Sequence, residues 1–429
     1  MTERFHKAVL SRWKIYHGWF VVAVGFILLL LMFGTRLSFG LYIKPMAESF
    51  GASRACISGS QSLYMIMYAV FALIAGSLSD KYGPKRVLVA GSIFMGVGML
   101  LASQITSVWQ YYVSYGVLVG IGSGSVYVPV TGAVSKFFTR HRNFAIGITT
   151  SGSGFGIYLI PPFMEKVVEA QGWHTAFFYT ALLLLGIGVS LPLLFLQGRG
   201  LPEDTMGEAQ GELTRKGGED LPQSLEASEA NRLQKHYTLL QAMSTIPFWT
   251  YFAMYFIICF VIDGVIFVHM YPYLTDIGFS GQTAAKALGY LGLISTVAMI
   301  VFGPLGDRVN KRKLLAGLFA LHTFLLFWLI HIESELSLWL LTVFYGILLG
   351  AAWPLTVSIL ADIFGSRSVS SILGACTLGF GMAGLIAPWM AGHIFDLYKS
   401  YVPVFYFTIL LSFLSVVFTY CTRKTKAMI

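Results

Sequence analysis

Two charges lie deep inside long apolar runs: Arg36, within residues 17–43, and Asp263, within residues 247–275. An ionisable side chain in a segment apolar enough to cross a bilayer is a functional candidate by default. A guanidinium there can grip an anion fork to fork. A carboxylate there can take up and release a proton. The two positions differ by 227, and the same interval recurs elsewhere in the chain. It carries Gly76, Asp80, Lys81, Lys85 and Arg86 onto Gly303, Asp307, Arg308, Arg312 and Lys313, with only basic-for-basic exchanges. It also carries Pro45 to Pro272, Gly51 to Gly278, Ser53 to Ser280, Gly147 to Gly374 and Pro161 to Pro388. Tyr115-Gly116 answers Tyr345-Gly346 at 230, a slip of three. Chance matches do not hold one spacing across separated segments. The chain therefore contains two copies of one unit, and parallel repeats in a membrane protein point to a transport site where the copies meet.

The elements that position these residues follow from composition. The chain is 56% hydrophobic and 11% charged, against roughly 25% charged in a soluble domain. A bilayer core of about 30 Å needs about 20 apolar residues per helix. Twelve spans satisfy this: 17–43, 54–79, 87–106, 109–135, 143–168, 173–197, 247–275, 281–305, 313–332, 335–362, 368–395 and 401–421. The expected fold is an all-α membrane protein of twelve transmembrane helices in two pseudo-symmetric six-helix bundles, residues 1–197 and 247–429. Residues 198–246, polar and with eight acidic side chains, read as a mobile cytoplasmic linker, with a short amphipathic helix over Tyr237–Met243. On its predicted span Arg36 lies about eight residues from the end, roughly 12 Å deep at 1.5 Å per residue.

Lys and Arg set the orientation. With both termini inside, 23 of the 29 fall on the cytoplasmic side, five (Lys44, Arg54, Lys166, Lys286, Lys399) on the outer side, and Arg36 remains within a span. The net charge of +9 is thus a topology signal, and short basic loops without a basic face exclude a nucleic-acid partner. The first apolar run is too long for a signal h-region, so the expected location is the cell membrane. Cys56, Cys259, Cys376 and Cys421 have no paired spacing, so neither disulfide nor metal is implied. No metal cluster, nucleophile–base set or ATP motif marks an enzyme or calls for a cofactor. Energy must come from an ion or substrate gradient.

The loop Gly76-Ser-Leu-Ser-Asp80-Lys81-Tyr-Gly83-Pro-Lys85-Arg86 resembles the signature of the major facilitator superfamily, and its weaker echo, with Asp307 and Arg308, stands where that superfamily's second copy belongs. The resemblance covers the whole chain. It implies that Asp80 helps hold the outward-facing state with Lys85 and Arg86 as partners. Independently of any family, a carboxylate at a helix end can hold the positive N-terminus of a neighbouring helix. Lys136 to Gly147, His269 to Gly278 and His17-Gly18-Trp19 resemble the monocarboxylate porter and oxalate/formate antiporter branches. Those porters are expected to bind carboxylate through an arginine in the eighth helix; here that position is Met299, with Thr296 and Ser295 beside it, and the eleventh helix lacks the lysine of a dicarboxylate antiporter.

The resulting expectation is alternating-access, proton-coupled transport of a small organic anion such as a monocarboxylate, by a monomer in the lipid bilayer. Arg36 would anchor the anion and Asp263 would accept the proton. A static ion pair is the plainer reading of the same two residues. His269 is a second candidate for the proton, but six residues from Asp263 is about 240° around a regular helix, which favours a hydrogen-bonded structural histidine. Gln61, Tyr127 with Ser123, Thr296, and Trp353 with Thr356 are candidate cavity contacts. Small residues on one face of the fifth helix (Gly147, Ser151, Gly154) and the eleventh (Gly374, Thr377, Gly381, Gly384) would let helices approach closely. Two other readings stay open: a facilitator or exporter of neutral amphipathic compounds, and a membrane sensor without transport.

Overall fold

Glycine and proline set the ends of the helices, and the repeat is in large part a repeat of these ends. In the computed structural model, which describes residues 17–137, 142–195, 239–305, 309–364 and 369–422, the first half begins with α1. It runs His17–Leu37 and, after a turn at Ser38, Phe39–Phe50. Gly51 closes it at φ 57°, a left-handed conformation that glycine adopts without Cβ strain. Ser53 then opens α2 (Arg54–Tyr82) by accepting the amide of Cys56. The second half does the same: Gly278 sits at φ 102°, and the Ser280 hydroxyl accepts the amide of Thr283 at 3.0 Å. Gly83, at φ 86°, ends α2 and is followed by Pro84 at the start of α3 (Pro84–Ala102), where proline lacks only an amide hydrogen the first turn does not need.

The remaining helices are α4 (Val108–Tyr111, Tyr112–Val119 and Gly120–Phe137), α5 (Arg142–Gln171), α6 (Trp173–Leu183, Leu184–Gly188 and Val189–Phe195), and α7 (Ile246–Cys259, Phe260–Ile266 and Phe267–Asp276). They continue with α8 (Gly281–Leu305), α9 (Lys311–Ile330), α10 (Glu335–Phe364), α11 (Val369–Tyr398) and α12 (Val402–Cys421). Among the described residues, ten spans pass on length and hydropathy alone. Two further long helices among them, α5 (30 residues) and α8 (25 residues), bring the number to twelve. The middle segments of α4, α6 and α7 are π-helical. Such wider turns often mark functional positions, and the one in α7 contains Asp263. Of residues 198–246, 198–238 lie outside the described residues. A one-turn helix, Leu239–Met243, precedes α7, and the Trp249 indole donates to the Met243 carbonyl at 2.9 Å.

The junction between the halves is formed by α2 with α11, α5 with α8, and the end of α1 with the end of α7. Glycine permits the approach. A Cβ on Gly154 would overlap Thr296 and the Gly292 carbonyl of α8, and one on Gly384 would strike Met65 of α2. At Gly147, seven residues nearer the other end of α5, a Cβ would meet nothing within 4 Å. The signature loop Gly76–Arg86 marks one face of the molecule, called here the motif face. The contacts between halves tighten toward the opposite face.

α1 continues past the expected boundary at 43, through Pro45, to Phe50. The first six residues after the turn at Ser38 include the buried Phe39, Leu41, Tyr42 and Ile43, so tertiary packing extends the helix beyond its most apolar stretch. Arg36 therefore lies 14 residues from this end, roughly 21 Å at 1.5 Å per residue. It lies near the middle of α1, further from the helix end than the sequence boundary implies.

Candidate translocation site

Arg36 and Asp263 meet. Nη2 of Arg36 donates to Oδ1 of Asp263 at 3.0 Å, with side chains 4% and 12% exposed. The contact crosses from α1 to the π-helical segment of α7, between symmetry-equivalent positions. A guanidinium carries five donors, and Asp263 takes one. Nε is buried without a protein partner. The cation is wrapped in rings: its carbon lies 5.9 Å from the centre of Phe33, 6.0 Å from Tyr68 of α2 and 5.5 Å from Phe380 of α11. Cation–ring attraction is strongest where water is displaced. The site thus holds a cation that is only partly satisfied, one carboxylate, and aromatic walls from both halves.

The other sequence candidates lie at different distances from this centre. Gln61 is buried, and its Oε1 accepts from Tyr115 at 2.8 Å; Tyr115 stacks on Tyr64 at 5.3 Å. Both tyrosines are within electrostatic reach of Arg36. Tyr127 meets Phe33 edge-on at 6.4 Å, which ties it to the same ring shell. Thr296 packs on Gly154 across the α5–α8 junction and donates to the Gly292 carbonyl at 3.1 Å. Trp353 lies 6.1 Å from Tyr255 of α7, and Thr356 donates to the Trp353 carbonyl at 2.7 Å. Arg36, Tyr127 and Asp263 are therefore joined directly or through Phe33, while Thr296 belongs to the helix junction.

His269 has no exposed surface. Nε2 lies 2.9 Å from the Pro388 carbonyl, which can only accept, so Nε2 carries the hydrogen. Nδ1, 3.2 Å from the Tyr401 hydroxyl, then accepts from it. Both nitrogens are used in binding α7 to α11 and α12. The π-helical turn means the 240° computed for a regular helix does not apply between 263 and 269, yet these two bonds fix where the ring points.

At the signature loop, Lys85 donates to the Leu193 carbonyl at 2.7 Å, in the last turn of α6, where unsatisfied carbonyls favour a cation. Gly76 lies against Val128 of α4. Gly83 caps α2 as described, and Arg86 is exposed. The Asp80 side chain, Asp307 and Arg308 lie outside the described residues, as do the surroundings of Gly374 and the Thr377 side chain.

The opposite face contains a cluster that the spacing of the sequence did not single out. Arg54, at the start of α2, forms a two-pronged pair with Asp276, at the end of α7, at 2.5 and 3.0 Å. Lys44 adds a third contact at 3.5 Å. The Arg54 guanidinium lies 3.8 Å over the ring of Phe395 and touches the Tyr401 hydroxyl at 3.3 Å. Asp396 of α11 accepts the amides of Arg54 and Ala55 at 3.1 and 2.9 Å, a carboxylate on a helix N-terminus. Applying the interval of 227 to Asp396 and Ala55 gives Glu169 and Gln282, which meet at 3.4 Å across α5 and α8. Testing acidic residues at helix ends against that interval would have found both clasps.

A family model described as Major Facilitator Superfamily matches residues 24–350. The chain belongs to this superfamily. Its curated relatives include monocarboxylate transporter 13 of Bos taurus, 26% identical over 396 residues covering 90% of this chain and 85% of the relative. Monocarboxylate transporter 12 of Rattus norvegicus is 27% identical over 402 residues, covering 90% and 82%. Among solved structures, a D-xylose–proton symporter superposes with a TM-score of 0.74 at 14% identity, covering 96% of this chain and 99% of that one. A bacterial homologue of the lysosomal transporter Spinster gives 0.71 at 14%, covering 95% and 97%. The protein is thus a multi-pass membrane transporter of the major facilitator fold. Its relatives are transporters, not enzymes.

Proposed function

We propose that this major facilitator transporter moves a small organic anion, such as a monocarboxylate, together with a proton by alternating access. It works as a monomer in the cell membrane, with both termini and the motif face on the cytoplasmic side. The observation that carries this reading is the partly used cation: Arg36 spends one donor on Asp263 and keeps a buried Nε unpartnered. A substrate carboxylate would occupy the free donors, and Phe33, Tyr68, Phe380 and Tyr127 would face its apolar part. The names of the relatives and the xylose–proton symporter support this choice of cargo and coupling.

Coupling follows from charge. Substrate and Asp263 compete for one guanidinium, and two anions on one buried cation leave a net negative charge in a medium of low dielectric. A proton on Asp263 removes the excess, so anion and proton occupy the site together. With the motif face inside, the clasps at Arg54–Asp276 and Asp396 close the outer entrance.

The test is uptake into proteoliposomes of a panel of radiolabelled monocarboxylates, with and without an imposed pH gradient. Acid uptake that rises with an inward proton gradient is expected. Uptake indifferent to the gradient removes the proton, and uptake of none of the acids favours a neutral cargo for the same aromatic site.

A further inference from the structure

Glu165 is a second buried carboxyl group on the path between the halves. It lies on α5 near the opposite face and is 3% exposed. Its Oε1 is 2.5 Å from the hydroxyl of Tyr271 on α7, so the contact joins the first half to the second. Its Oε2 is buried without a protein partner. Gly281, the first residue of α8, is pressed against it: a Cβ there would overlap Oε1 and come within 2.9 Å of the Tyr271 hydroxyl. The groups within electrostatic reach are Tyr271 from α7, Tyr42 from α1 and Glu169 one turn further along α5. From α8 come Gly281 and Gln282, which do not titrate. None of these is a cation. An ionised carboxylate enclosed with a single donor is expensive to bury, and the cost is removed either by a proton or by water when the junction opens.

We propose that Glu165 is a proton-binding site that must be loaded before the halves close on the opposite face. In the closed state the proton stays on the carboxyl group at Oε2, while Oε1 accepts from the Tyr271 hydroxyl. When α5 separates from α7 and α8, water reaches Glu165, the proton leaves to that water, and the resulting carboxylate is hydrated. Closure then requires the proton to return. This rests on the alternating-access reading but not on the identity of the cargo or on Asp263.

The test uses the full chain in lipid nanodiscs without substrate, with the exposed Cys56 and Cys421 replaced by serine. Spin labels go on cysteines replacing Thr106 and Glu333, exposed residues in equivalent loops of the two halves on the opposite face. Pulsed electron–electron distances are measured across pH. The unchanged junction should give the short distance at low pH and gain a longer one as pH rises. Glu165→Gln, a neutral mimic, should keep the short distance at every pH. Tyr271→Phe, which leaves the carboxyl group but removes its single partner, should move the midpoint. Any lengthening with pH that persists in Glu165→Gln, or an unmoved midpoint in Tyr271→Phe, overturns the proposal. Failure of acid uptake would leave all of these distances unaffected.

Discussion

Arg54 and Asp276, 222 residues apart, form a fork-to-fork ion pair that ties the first turn of α2 to the last turn of α7. The pair is 12% and 22% exposed, backed by the Phe395 ring, and flanked by Asp396 on the amides of the same helix start. Nothing equivalent in the described residues crosses between halves on the motif face. These contacts close the opposite face.

Weakening this closure should open it. Asp276→Asn removes a solvent-edge pair worth about 0.2–1 kcal/mol. Asp396→Asn weakens a helix-capping contact worth about 0.5–2 kcal/mol. The double variant should shift the distance between labels at the α2 and α7 ends toward a longer population, more than either alone. Unchanged distance distributions in the double variant would contradict the clasp.

Removing one member of the central pair should cost more stability than exchanging the two. Asp263→Asn leaves a buried guanidinium without its counterion, a change of about 3–5 kcal/mol in comparable cases, read as a fall in thermal stability. The exchanged variant Arg36→Asp with Asp263→Arg should recover stability without recovering uptake, because the cation would then project from the other half. Full transport by the exchanged variant would show that the two charges only balance each other.

Much of this was legible in the sequence, for identifiable reasons. The interval of 227 is visible because helix ends demand particular residues: Gly51 and Gly278 at positive φ, Ser53 and Ser280 as caps. Arg36 and Asp263 stood out because charge inside an apolar run is rare. Arg54, Asp276 and Asp396 were hidden because loop-edge charges are common and their pairing joins positions 222 and 342 residues apart. Glu165 was hidden by its neighbour Lys166, which made that turn of α5 read as solvent-facing. The π-helical segment around Asp263 has no pattern in apolar spacing, and the extension of α1 to Phe50 comes from packing rather than hydropathy.

His269 is expected to act as a tie and not as a proton carrier, since Pro388 and Tyr401 use both nitrogens. His269→Gln, which can still donate and accept, should leave the pH profile of uptake unchanged while lowering thermal stability modestly. A shifted profile with unchanged stability would assign it to coupling.

The close α5–α8 approach should be selective in what it tolerates. Gly154→Ala places a Cβ against Thr296 and the Gly292 carbonyl and should disfavour the closed opposite face. Gly147→Ala meets open space and should not. Gly83→Ala forces φ 86° on a residue with a side chain, a strain of about 1–3 kcal/mol; equal thermal stability of all three variants would refute this packing account.

The most direct test of the central claim is the number of protons taken up per anion bound. Calorimetric titration of the purified protein with the acid identified by uptake, in buffers of different ionisation enthalpy, gives that number. The account predicts close to one proton per anion in the native chain, none in Asp263→Asn, and no binding in Arg36→Ala. An equal proton count in the native chain and Asp263→Asn, or undiminished binding without the Arg36 guanidinium, would contradict it.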